Sequence, residues 1–215
     1  MRVLSINPHK LYEGCLQAAI AHGVAVGMYP ELSYEHSWDG INYSVNNSEG
    51  CRGTITFDSQ YIIAVFRDDS IADCDANALD FFKDAPQEVI QLAQSEALQY
   101  VLLDVNDQTK PVISAAFWGT WERLYSHQAE SELMQNSRYI LREHLLPREE
   151  AAQKWSEYYK LGKKQNKLID SLLQRKMDAG TASVELTRKD MRALHGDVEE
   201  CLILLREINI IPLKR

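Results

Sequence analysis

Ile41, Tyr43 and Val45 alternate with Asn42, Ser44 and Asn46, and after Asn47-Ser48-Glu49-Gly50 the alternation resumes from Cys51 to Phe57. Asp58-Ser59 supplies a second turn, and Gln60–Arg67 (QYIIAVFR) reads as a third strand. A period of two bounded by turn residues specifies antiparallel strands, so this stretch predicts a three-stranded meander and commits the chain to a class containing a sheet. Register follows from the turn. With Asn46 opposite Cys51, position 41 falls opposite 56 and position 36 opposite about 61.

Around the meander the pattern is helical. Leu11, Cys15, Ala18 and Ala19 follow helical spacing up to Gly23, which reads as a C-terminal stop. A short helix is expected through Phe82 and another after Asp84 and Pro86. Two strands, Tyr100–Val105 and Val112–Trp118, are expected on either side of an Asn-Asp-Gln-Thr-Lys-Pro turn. One helix carries Ala129, Leu133, Ile140, Leu141 and Leu145, and a long one carries Ala151, Trp155, Tyr158, Gln165, Ile169 and Leu172. Thr187 with Asp190, and Asp197 with Glu200, mark two helix starts separated by a turn at Gly196. The expected architecture is α+β: a small antiparallel β-meander flanked by helices within an acidic domain 1–125, followed by a helical region 126–215 that contains a basic long helix.

Hydrophobic residues at 45% and charged residues at 25% exclude disorder across the whole chain. Four separated cysteines, with no paired metal-ligand spacing, suit reduced thiols in a cytoplasmic setting better than a disulfide framework or a zinc site. The apolar run from Cys15 to Met28 is preceded by Glu13 and interrupted by Gln17 and His22, so a buried helix is expected there and no membrane partner. The Asn-x-Ser triplets at Asn42 and Asn46 carry no sugar in such a setting. Charge is unevenly spread: residues 1–150 hold 10 Lys and Arg against 22 Asp and Glu, whereas residues 151–215 hold 13 against 9. An acidic body with a basic helical segment fits a protein whose two parts meet each other or different partners.

Several residue sets could carry chemistry. Cys51 as a nucleophile needs a base within reach. The expected register sets His36 on the order of 20–30 Å from it, at ~3.4 Å per strand residue, which disfavours a Cys–His dyad. The same register brings His36, Asp39 and Asp58 to one end of the meander. Two carboxylates and an imidazole there could hold a divalent metal or exchange protons, while the ordinary roles of these residues are turn formation and a partly exposed strand position. Asp73, Asp75 and Asn77 match the first three positions of a calcium loop, but Ala78, Phe81 and Asp84 break the later ones. The helices around Gly196 outline a helix-turn-helix whose second helix opens with Glu199 and Glu200, carboxylates that repel phosphates. Lys154, Lys160, Lys163, Lys164, Lys167, Arg175 and Lys176, with Trp155, Tyr158 and Tyr159, form a basic stretch able to track a nucleic-acid backbone, or else a solvated helix face.

No dinucleotide fingerprint, phosphate loop, serine-hydrolase elbow or zinc-protease motif is present. No cofactor is expected. The leading functional expectation is a cytoplasmic, non-enzymatic binding or regulatory protein that uses its acidic surface on a basic protein partner, as an inhibitor or immunity protein would. A nucleic-acid-associated protein using residues 154–176, and a metal-assisted or acid–base enzyme at His36, Asp39 and Asp58, stand as alternatives.

Overall fold

The structure is a computed structural model of the chain, and it describes residues 1–71 and 77–213. The expected calcium-loop positions Asp73 and Asp75 lie outside the described residues. The fold is α+β with an antiparallel sheet and a helical C-terminal region. In chain order the strands are β1 (Arg2–Val3), β2 (His36–Asp39), β3 (Asn42–Asn46), β4 (Cys51–Phe57), β5 (Tyr61–Asp68), β6 (Leu102–Val105), β7 (Gln108–Pro111), β8 (Ala115–Thr120), β9 (Leu124–Ser126), β10 (Val184–Leu186) and β11 (Ile210–Pro212). The helices are α1 (Pro8–Ala25), α2 (Gln87–Ser95), α3 (Glu130–Asn136), α4 (Arg148–Tyr158), α5 (Lys163–Ala179), α6 (Arg188–Met191) and α7 (Val198–Glu207). The main sheet contains the run β1-β9-β8-β5-β4-β3.

The chain forms two compact units that interleave in sequence. One comprises Met1–Leu11 and Ile41–Arg142, the other Tyr12–Gly40 and Glu143–Arg215. Residue 125, the boundary expected from the sequence, falls inside the first unit, because α3 packs on β5 and β8.

In the first unit the meander is present, with its register shifted by one. Asn46 pairs with Arg52 and Asn42 with Thr56, in place of the expected Asn46–Cys51 pair. The shift originates in Asn47, whose side-chain oxygen accepts from the backbone of Glu49 at 3.0 Å and Cys51 at 2.9 Å. That side-chain turn lengthens the loop, and Gly50 closes it at φ +82°. A one-residue slip exchanges the faces of every strand residue, so the correction decides which side chains meet. Thr56 donates to Asn42 at 2.6 Å, Asn42 donates to Glu96 at 2.7 Å, and Ser44 and Thr54 lie 3.1 Å apart. β5 is buried along nearly its whole length, so its sequence is a continuous apolar run and lacks alternation. On one face Ile63, Val65, Ala116 and Trp118 pack with Phe82, Val89, Ala93 and Leu98 into a core.

Three further expectations are corrected in this unit. Gln108–Pro111 is a strand and not part of a six-residue turn; it pairs with β6 around Asn106-Asp107, both at positive φ, as a two-residue hairpin requires. Tyr100 and Val101 belong to a 3-10 turn. The helix expected from Ala129 to Leu145 stops after Asn136, since Arg138 and Tyr139 take φ of 48° and 54°, with Arg138 bonded to the Glu49 carbonyl at 2.6 Å.

In the second unit, residues 12–25 of α1 are buried almost all round, which explains their weak amphipathic pattern. Gly23 does not end this helix, which continues to Ala25; its missing side chain makes room for Leu205 of α7. The long helix expected from Ala151 is two helices. Lys160 adopts φ 51°, Leu161 bonds back to the Ser156 carbonyl, and the Gln165 side chain accepts from Gly162 N at 3.0 Å to start α5. Thr187 and Asp190 cap α6 reciprocally, Asp197 caps α7, and Gly196 turns at φ +73°. β10 and β11, three residues each, pair in parallel.

A Cβ at Gly53 would overlap the ring of Phe66, a fully buried side chain packed on Phe117. Gly53→Ala is expected to destabilise the protein by about 1–3 kcal/mol in urea unfolding, through displacement of that ring.

Candidate anion-binding groove

The residues expected to form a site in the meander have separate structural duties. Cys51 is buried, and its Sγ donates to the Ser137 carbonyl at 3.2 Å. Burial, reinforced by Asp68, pushes its thiol up to about 12, so it stays protonated and a poor nucleophile at neutral pH. Asp58 accepts from Gln60 N at 2.9 Å within the β4–β5 turn, and its backbone carbonyl accepts from Trp121 Nε1 at 2.9 Å. Burial alone would raise its carboxyl, but these turn N–H groups outweigh it and hold the carboxyl below the usual range. In the second unit His36 is buried at the start of β2, and Asp39 is exposed at its end. Asn77 caps the 3-10 turn Ala78–Phe82 through Leu79 N. Among the described residues no group of three or more His, Cys, Asp or Glu side chains is placed to hold a metal ion.

His36 instead belongs to an imidazole cluster that sequence reasoning did not assemble, because its members come from three distant stretches. Its ring centroid lies 5.2 Å from that of His22 and 5.8 Å from that of His144. The Trp155 indole meets His36 and His144 nearly edge-on, both at 5.5 Å. His22 Nε2 lies 2.9 Å from the Leu32 carbonyl, which can only accept, so this nitrogen carries the proton. Beside the cluster, the buried carboxylate of Glu35 accepts from the hydroxyls of Tyr158 and Tyr159, the latter at 2.9 Å. Burial and this carboxylate raise both phenols, which therefore serve as donors at any ordinary pH.

The basic stretch divides. Lys154 on α4 reaches Glu157 at 3.7 Å, Lys160 sits in the break between α4 and α5, and Lys163 is exposed at the start of α5. Arg175 is committed to Asp190 at 2.9 Å, and Lys176 is buried with its Nζ on the Ala182 carbonyl at 3.0 Å. Lys164 and Lys167 differ. They line a groove of about 320 Å³ together with Lys189 and Arg192, with Leu168 and Ala193 as apolar wall. All four cations are exposed, and their side chains have no ion-pair or hydrogen-bond partner among the described residues.

Asp190, which also lines the groove, does not neutralise them. Its carboxylate accepts from Thr187 N at 2.9 Å and pairs with Arg175. Burial opposes its ionisation, yet Thr187 and Arg175 together hold its carboxyl below the usual range. Its charge is thus matched by a guanidinium outside the groove lining. Lys163 and Lys164, moreover, occupy the first turn of α5, where no acidic residue stands and the helix dipole already points positive. Cations there repel the dipole, so an anion in the groove relieves two unfavourable terms together. A second cavity of the same unit, about 280 Å³, has the opposite lining, with Glu157 and Asp170 beside Gln17, Trp155 and Asn166.

Lys189 and Arg192 join Lys164 and Lys167 through the fold, from a different element. The signal was present as a three-residue spacing in Arg-Lys-Asp-Met-Arg, which puts both on one face of a helical turn. Comparison with protein-family models, with curated proteins and with solved structures finds no match to this chain.

Cys15 and Cys201 are buried like Cys51, and burial raises their thiols too. All three are expected to resist iodoacetamide at pH 8 in the native protein and to alkylate fully in urea, as read by peptide mapping.

Proposed function

We propose that the protein is a non-enzymatic, nucleic-acid-associated protein that holds a phosphodiester backbone in the groove between α5 and α6. The observation that carries this reading is the set of four unpaired cations, Lys164, Lys167, Lys189 and Arg192, around a groove whose one acidic lining residue is already engaged. Each phosphate neutralised releases condensed counterions, so such a groove binds a polyanion without reading its sequence. The start of α7 does not compete for that role: Glu199 pairs with Arg206 at 2.9 Å, and Asp197 is a cap.

The alternative, in which acidic residues steer a basic protein partner, draws support from the −8 net charge alone. Proton or metal chemistry at His36, Asp39 and Asp58 draws no support from the geometry, since the first is buried and the last is engaged in its own turn. A cytoplasmic setting accords with the three unpaired buried thiols. No described helix is long and apolar enough to cross a membrane.

Fluorescence anisotropy with labelled single-stranded and duplex 20-mers tests the reading. Affinity is expected to fall with salt with a log–log slope of about −3, from four contacts at roughly −0.7 to −0.9 each. The double variant Lys164→Glu/Lys167→Glu is expected to lose at least about tenfold and to halve the slope. Lys154→Glu, which changes charge outside the groove, leaves the slope intact. Equal damage from Lys154→Glu, or no salt-dependent binding to either oligonucleotide, overturns the proposal.

A further inference from the structure

His22, His36 and His144 lie in the same unit as the groove and serve no purpose in anion binding. They come from α1, from β2 and from the 3-10 turn Glu143–Leu145, so the cluster joins three separate chain segments, and Trp155 and Tyr159 of the α4 region close it. The backbone of this turn lies so close to α1 that only a glycine fits at position 14. His22 and His144 are 1% exposed and His36 is 5% exposed, so a charge on any of the rings is removed from bulk solvent.

We propose that these three imidazoles form an acid-operated latch: neutral, they pack α1, β2 and α4 together, and protonation opens the second unit. The functional consequence rests on the groove reading, because α4 leads through the Lys160–Gly162 turn into α5, which carries Lys164 and Lys167. The latch itself does not depend on that reading.

The neighbouring carboxylates are held by other groups or lie at the far end of β2. Glu35, next to His36 in sequence, has its carboxylate on the hydroxyls of Tyr158 and Tyr159. Glu207 of α7 accepts from Trp38 N at 2.7 Å, Tyr12 of α1 packs edge-on against Trp38, and Asp39 is exposed at the far end of β2. Burial dominates for all three histidines. It lowers His22 to about 4 against the opposing pull of the Leu32 and His36 backbone, lowers His144 to about 3, and lowers His36 well below its usual value with added repulsion from both neighbours.

With folded values below the unfolded value of about 6.5, the opened state binds more protons. The latch's contribution is therefore fully present above that pH and is lost as pH falls from there toward the folded values. Three imidazoles raise the opening constant by on the order of a thousandfold between pH 6.5 and pH 5. Burial raises the Glu207 carboxyl, so this group works in the opposite sense and does not generate acid opening.

Hydrogen–deuterium exchange of the intact chain, corrected for intrinsic rates and read by peptide, tests the proposal. Peptides from 12–40 and 143–179 are expected to open with a log–log slope against proton activity approaching three between pH 6.5 and pH 5, while peptides from 77–142 change far less. His22→Gln, which keeps a donor for the Leu32 carbonyl, is expected to lower the slope by about one. Should that variant fail to fold, the wild-type slope still decides the matter. A slope below one in the wild type, or a folded His22→Gln with an unchanged slope, overturns the latch. Absent oligonucleotide binding, with the slope intact, overturns only the groove reading.

Discussion

Asp190 is held by Thr187 on one side and by Arg175 on the other, and this fixed ion pair sets the electrostatics of the α5–α6 groove. A carboxylate free to swing would neutralise Lys189 or Lys167 and leave a surface of mixed charge. Held where it is, it balances a guanidinium that does not line the groove, and four cations remain without counter-charges among the described residues. The first turn of α5 amplifies the effect, since lysines there stand where the helix dipole favours anions. The excess of positive potential is local. It sits on a chain whose net charge is −8.

A different physical constraint organises the neighbouring part of the same unit. Imidazoles cluster there because burial has made them neutral, and neutral rings pack against one another and against Trp155 as ordinary aromatic surface. Glu35 is retained as a buried carboxylate because two tyrosine hydroxyls satisfy it, and their raised phenols guarantee that both remain donors. The unit thus contains two polar systems of different design: a largely buried cluster of rings around a bonded carboxylate, and an exposed set of cations.

Local rules made part of this legible in the sequence. The meander, the α+β class, the capping pairs Thr187–Asp190 and Asp197–Glu200, and the turn at Gly196 each depend on residues within a few positions of one another. Where a side chain substitutes for backbone or a tertiary contact overrides propensity, the pattern misleads. Asn47 lengthens a hairpin loop through its own amide and shifts the register. Gly23 looks like a helix stop and is a contact with Leu205. Lys160 takes a left-handed conformation that no local pattern announces, and so one basic helix becomes two. Lys164 and Lys167 are visible as basic residues, but Lys189 and Arg192, which line the same groove, come from α6 and its end, beyond β10 in the sequence. The imidazole cluster draws on positions 22, 36 and 144, which no spacing rule connects.

Titration of the ¹⁵N-labelled protein with inorganic tripolyphosphate, followed through backbone and arginine side-chain resonances, tests whether the four groove cations hold an anion while Asp190 stays with Arg175. Saturable shifts centred on residues 163–171 and 187–193 are expected, with the Arg175 Nη1–H signals retained. Shifts scattered over all exposed lysines, Lys154 included, or centred on the start of α7, would contradict this arrangement.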